Sequence, residues 1–160
     1  MEIHDKVLVA LRQIIRAIDL HSKKLERESG LTGPQLLVMQ TISHAESVTA
    51  GQIARDVNLS QATVTSILDR LEKKAYLRRE RSQEDKRKVY ICLTEAGRQV
   101  LEQAPTLMQE SFILRFNSLQ EWEQNLTLSS LQRVAEMMQA GDLDAAPLLD
   151  SSDEQVVKEV

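Results

Sequence analysis

The sequence predicts a mainly α-helical protein with a small β-wing, an α+β class in which a helix-turn-helix lobe is joined to helices at both ends of the chain. Three observations predict it. Two short helical stretches, Ala50 to Val57 and Ser60 to about Lys74, are separated by only a few polar residues, as a helix-turn-helix requires. Just beyond them, Leu77 to Arg81 and Lys88 to Leu93 have the short alternating pattern of strands, on either side of the polar stretch Ser82 to Arg87. Long runs with apolar residues at three- and four-residue spacing occupy the two ends.

Each element has its own signal. The apolar residues Ile3, Val7, Leu8, Leu11, Ile14, Ile15, Ile18 and Leu25 precede any Gly or Pro, so residues 3–29 are expected to form one amphipathic helix stopped at Gly30. So long a first helix exceeds what one small lobe needs, and its stripe is expected to meet a second subunit. Thr32 caps a second helix that carries Pro34 in its first turn and runs to about Ala45. Thr49 caps the third, with Ile53, Ala54 and Val57 on one face, and Ser60 caps the fourth after Asn58-Leu59.

After the strands, Thr94 caps a helix expected over 94–116, with Glu95 favouring its positive end. Pro105 falls inside that pattern and must kink or interrupt it, since it lacks an N–H and clashes one turn back. Ser118 with Glu121 reads as a capping box for a last helix over 119–138, bearing Leu119, Trp122, Leu126, Leu131, Ala135 and Met138. Beyond Gly141 the chain is acidic and poor in large apolar residues, which predicts a disordered tail over 142–160. Residues 1–140 are thus one domain, with the lobe at about 32–93 and the three long helical stretches left for dimerisation.

At 160 residues and 42% hydrophobic, the chain can bury the core of one domain. One cysteine excludes an intramolecular disulfide. With no charged-then-apolar leader and no apolar run near the ~18 residues of a membrane span, a cytoplasmic protein is expected. There is no Ser or Cys nucleophile with a nearby His and no Gly-rich phosphate loop, so neither enzyme nor cofactor is expected. His4, His21 and His44 lack partners at metal-ligand spacing, which disfavours a metal site.

The net charge of −4 argues against a protein that coats nucleic acid everywhere. Its distribution says more: residues 55–88 hold ten Lys or Arg against six Asp or Glu, a surplus of four, so the rest of the chain carries −8. A basic module sits on an acidic body.

On a 100° wheel the fourth helix puts Val64, Ile67, Leu68, Leu71 and Ala75 on one side, with Ala62, Thr65, Ser66, Asp69, Arg70 and Lys73 on the other. Small hydroxyl-bearing side chains near a helix N-terminus suit a major groove, because the backbone can approach closely and the hydroxyls can bond base edges. Candidate DNA contacts are therefore Ser60, Gln61, Ala62, Thr63, Thr65, Ser66, Arg70 and Lys73. A solvated face rich in Ser and Thr would carry the same pattern alone; the helix before it and the wing after it favour DNA. At the wing, Lys86 and Arg87 suit a minor groove, with Arg79 and Lys88 as flanking cations. Asp85 is expected to pair with Arg87 or another arginine and fix the guanidinium's direction.

From Leu71 to Gly97 the chain reads L-E-K-K-A-Y-L-R-R-E-R-S-Q-E-D-K-R-K-V-Y-I-C-L-T-E-A-G. This resembles the signature of the MarR family of bacterial winged-helix regulators, with Asp85-x-Arg87, Leu93-Thr94 and Glu95-Ala96-Gly97 in register and the order of elements matching over about residues 3–139. Ala75 departs from the family pattern, which usually has Gly after the recognition helix. An αL cap there would strain Ala, so a different helix ending is expected.

The resemblance implies a homodimer built by the first and last two helices, two winged lobes reading double-stranded DNA at a pseudo-palindrome, and relaxation of DNA binding by a small molecule or oxidant. Cys92 lies in the second wing strand, away from the first helix where thiol-sensing relatives carry theirs, and reads as a half-buried structural residue. The Thr32-Gly33-Pro34-Gln35-Leu36-Leu37 segment, the Gln61-Ala62-Thr63-Val64-Thr65 segment and the acidic tail further resemble the branch that regulates synthesis of the compatible solute ectoine. The rival reading is a helical interaction scaffold without DNA binding, as fold alone never fixes function. Missing wing-tip cations would favour that rival; Lys86, Arg87, Arg79 and Lys88 are present.

Overall fold

The computed structural model describes residues 2–152. Among them are seven helices and one antiparallel hairpin: α1 Ile3–Ser29, α2 Gly33–His44, α3 Ala50–Val57, α4 Gln61–Lys73, β1 Leu77–Arg81, β2 Val89–Leu93, α5 Glu95–Gln103, α6 Met108–Asn117 and α7 Glu121–Met137. Three of the first four helices start where a short polar side chain can accept an orphan amide proton. Thr32 and Gln35 close a reciprocal capping box on α2, Thr49 and Gln52 do the same on α3, and Ser60 Oγ accepts from the Thr63 N–H at 3.1 Å. α1 ends at Gly30, whose φ of 69° lets its N–H reach the Glu26 carbonyl. Asn58, at φ 55°, closes α3 just as tightly and leaves only a short turn before α4.

The lobe packs around Leu36, Met39 and Ile42 of α2, Ile53 and Val57 of α3, and Val64, Ile67, Leu68 and Leu71 of α4, all buried. β1 and β2 pair with Leu77 opposite Leu93, Arg79 opposite Ile91 and Arg81 opposite Val89, which turns Leu77, Ile91 and Leu93 inward. A third edge, absent from the sequence expectation, comes from the loop before α3: the Ile91 N–H donates to the Val48 carbonyl at 2.8 Å. One backbone bridge carries too short a pattern to be read from local sequence.

Behind the wing, Thr94 both caps α5 and donates its hydroxyl to the Ala75 carbonyl at 2.6 Å. A Cβ added to Gly97 would lie 2.0 Å from the Tyr76 carbonyl oxygen, so the Gly of the Glu-Ala-Gly segment is required by close approach of α5 to the turn after α4.

The helix expected over 94–116 is interrupted at Pro105, as its position requires: the chain leaves helical geometry at Ala104 and resumes only after Leu107, which is buried against the lobe. Three other sequence expectations change. The last helix starts at Glu121 with its capping box on Gln120 and Glu123, while Ser118 closes α6 by donating to the Arg115 carbonyl. Ala75 does adopt the left-handed conformation, at φ 60°, and accepts the strain that glycine would avoid. The tail expected to be disordered packs back on the fold as far as described: Leu148 is 6% exposed and Asp150 7%. Residues 153–160 of that expectation lie outside the described residues.

The terminal helices contrast with the lobe. α1 buries only Ser22 and Leu25, α6 only Gln109, and α7 nothing. Their large apolar side chains are exposed, Leu114 by 76% and Trp122 by 67%.

Candidate nucleic-acid interface

The cap at Ser60 and the buried Val64, Ile67, Leu68 and Leu71 stripe fix which way α4 faces. Gln61, Ala62, Thr65, Ser66, Arg70 and Lys73 consequently lie together on its exposed side. Ser60 and Thr63 do not join them. Thr63 is only 7% exposed and its hydroxyl shares a 2.7 Å bond with Ser60 Oγ, so both hydroxyls help to close the start of the helix, and Thr63 does not share the exposed face with the other candidate DNA contacts. Three residues into the helix, the side chain has rotated onto the core-facing side.

The wing tip is built from two nested side-chain turns. Ser82 Oγ accepts from the Glu84 and Asp85 N–H groups, both at 3.2 Å, and Asp85 Oδ1 accepts from the Arg87 N–H at 3.0 Å. Two backbone bonds close the tip, from the Ser82 N–H to the Lys88 carbonyl and from the Lys88 N–H to the Asp85 carbonyl. Asp85 thus shapes the backbone that presents Arg87 and does not grip the guanidinium, which revises its expected role. Lys86, Arg87 and Lys88 are exposed around this turn.

Arg79 departs furthest from its expected role. Strand alternation directs it toward α4, where its guanidinium bonds Asp69 Oδ1 at 2.6 Å and also the Glu72 carboxylate. Partial burial opposes its charge, but the bonds to Asp69 and Glu72 outweigh that, and its pKa stands above the ordinary arginine value. Arg79 is therefore a brace between the wing and α4, its charge already matched. The signal that would have found it is the parity of β1 together with two carboxylates spaced by three on α4. Lys74 is a second link that sequence reasoning missed: its ammonium donates to the Gly30 carbonyl at 2.7 Å, tying the end of α4 to the end of α1.

Cys92 lies on the outer face of β2 with its thiol 3.8 Å from Glu80 Oε2. Burial pushes the thiol's pKa up and the Glu80 carboxylate adds to this, so the group is held as a thiol, the unreactive form.

A buried-core helix-turn-helix, a cation-tipped hairpin and an outward helix face of small polar side chains together define a winged-helix DNA-binding protein. Residues 31–89 match the model of the MarR family. The transcriptional regulator SarZ of Staphylococcus haemolyticus is 31% identical over 128 residues, covering 79% of this chain and 82% of that protein. Among solved structures, a MepR-like protein complexed with pseudoligands superposes with a TM-score of 0.59 at 23% identity, covering 86% of this chain and 97% of that one. Reduced AbfR bound to DNA superposes with a TM-score of 0.51 at 26% identity, covering 84% and 93%. The chain belongs to the MarR family, and it is a transcriptional regulator rather than an enzyme.

Proposed function

We propose that this chain is a cytoplasmic, sequence-specific repressor that acts as a homodimer on a pseudo-palindromic operator in double-stranded DNA. The carrying observation is the shared exposed face of Gln61, Ala62, Thr65, Ser66, Arg70 and Lys73 above a buried apolar stripe, because it offers base-reading groups without disturbing the core. α4 lies in the major groove, with Lys86, Arg87 and Lys88 at the neighbouring minor groove. The dimer is formed by α1, α6 and α7, most of whose large apolar side chains are exposed among the described residues. A dimer spanning two half-sites next to a promoter represses by occlusion. A small-molecule or oxidant effector acting between lobe and dimer helices, and control of ectoine-synthesis genes, extend this reading through the family resemblance.

Footprinting the purified protein on the DNA upstream of its own gene, and of ectoine-synthesis genes, tests it. The expected result is two protected half-sites about one helical turn apart. Protection without sequence preference, or none on either DNA, would overturn it.

A further inference from the structure

The segment after α7 returns to the joint between α1 and the lobe. Leu148 is buried there, the Ser151 N–H donates to Ser22 Oγ on α1 at 3.0 Å, and Ser151 Oγ reaches Asp19 Oδ1 at 3.5 Å. Asp150 packs its carboxylate against the first turn of α2 so closely that a Cβ on Gly33 would lie 2.9 Å from its Cγ and Oδ1. The same carboxylate accepts from the Ser152 N–H at 3.1 Å. One short segment therefore touches both the dimer helix and the start of the lobe.

Beside it runs a cleft of about 600 Å³ whose walls include Lys23, Arg70, Lys73 and Lys74 together with Ser151 and Ser152. Arg70 and Lys73 belong to the exposed face of the recognition helix. Residues 142–152 carry Asp142, Asp144 and Asp150 and no Lys or Arg. Seating them puts negative charge beside a cleft lined by cations that DNA phosphates would otherwise use.

We propose that residues 142–152 are an autoinhibitory latch: seated between α1 and the lobe, they hold the two in one relation and keep their own carboxylates beside the cationic end of α4, lowering affinity for DNA. The latch rests on the DNA-binding reading above. It makes the seated and unseated states differ in DNA affinity, so whatever displaces Leu148 and Asp150 strengthens binding.

The test compares the full chain, a truncation ending at Gly141, and full-length Leu148→Ala, which keeps every charge, on operator and random duplex across a salt series. The truncation is expected to bind about 3- to 10-fold tighter at low salt, with the slope of log K against log salt steeper by about one unit. Leu148→Ala is expected to shift affinity the same way and to speed hydrogen exchange of the Ser151 amide, which the Ser22 bond protects in the seated state. Equal or weaker binding by a truncation that keeps its helical circular dichroism would overturn the latch alone. Where the truncation does not fold, Leu148→Ala decides by the same two readings, and unchanged affinity in it overturns the proposal. Binding of no duplex by any form would overturn the DNA-binding reading as well.

Discussion

Ala75 holds a conformation that costs an L-residue about 1 to 2 kcal/mol, at φ 60° and on the surface, where no side-chain packing offsets it. Replacing it with glycine relieves that strain but adds entropy to the unfolded chain, leaving a net stabilisation of about 0.5 to 1 kcal/mol. Thermal unfolding of Ala75→Gly at fixed protein concentration is expected to show a midpoint higher by a few degrees; a lower midpoint would mean that the turn needs the methyl group. Cys92 gives a second test at this scale. Because burial and Glu80 hold its pKa above the ordinary thiol value, its thiolate is scarce at neutral pH and grows only as pH rises through that higher value. Alkylation at pH 7 is expected to be slower than for a free cysteine and to accelerate only in more alkaline buffer, whereas rapid alkylation at pH 7 would contradict the assignment.

In the proposed complex α4 and the hairpin contact different parts of the duplex, so substitutions on each are expected to act differently. If the exposed face of α4 reads bases as proposed, Thr65→Ala or Ser66→Ala is expected to cost on the order of 1 to 3 kcal/mol at the cognate operator and to change little on random duplex. Uniform weakening on a panel of operator variants would assign α4 to backbone positioning. Arg87→Ala is expected to weaken every sequence alike and to flatten the salt slope by about one unit per subunit, with an unchanged slope arguing that the wing does not touch DNA.

Most of these elements were legible because caps and periods are local: Thr32, Thr49, Ser60, Thr94 and the Gly30 stop each act within a few residues. What was not legible is either degenerate or long-range. Ser118-x-x-Glu121 and Gln120-x-x-Glu123 both fit a capping box, and only the break between α6 and α7 selects the second. Thr63 was grouped with its exposed neighbours because its residue type suits DNA, whereas its position on the helix turns it inward. The partners of Arg79 are seven and ten residues away across a strand-helix contact, and Leu148 docks on parts of the chain remote in sequence.

For the whole molecule, the distribution of burial decides more than any single contact. The lobe closes its own core, while α1, α6 and α7 expose Ile15, Phe112, Ile113, Leu114, Trp122 and Leu126. Surface of that kind on the first helix and the last two fits a subunit interface, and a two-fold dimer would present two α4 helices to one face of a duplex. Sedimentation at micromolar concentration is expected to give a dimer; a folded monomer would remove this basis for palindrome reading. The most direct test inserts 5 base pairs between the half-sites of the footprinted operator, which turns one half-site about half a turn around the duplex. If one dimer reads both half-sites, affinity is expected to fall on the order of 100-fold, toward that of a single half-site. Unchanged affinity after the insertion would show that each lobe binds on its own and would contradict the dimeric, operator-reading account.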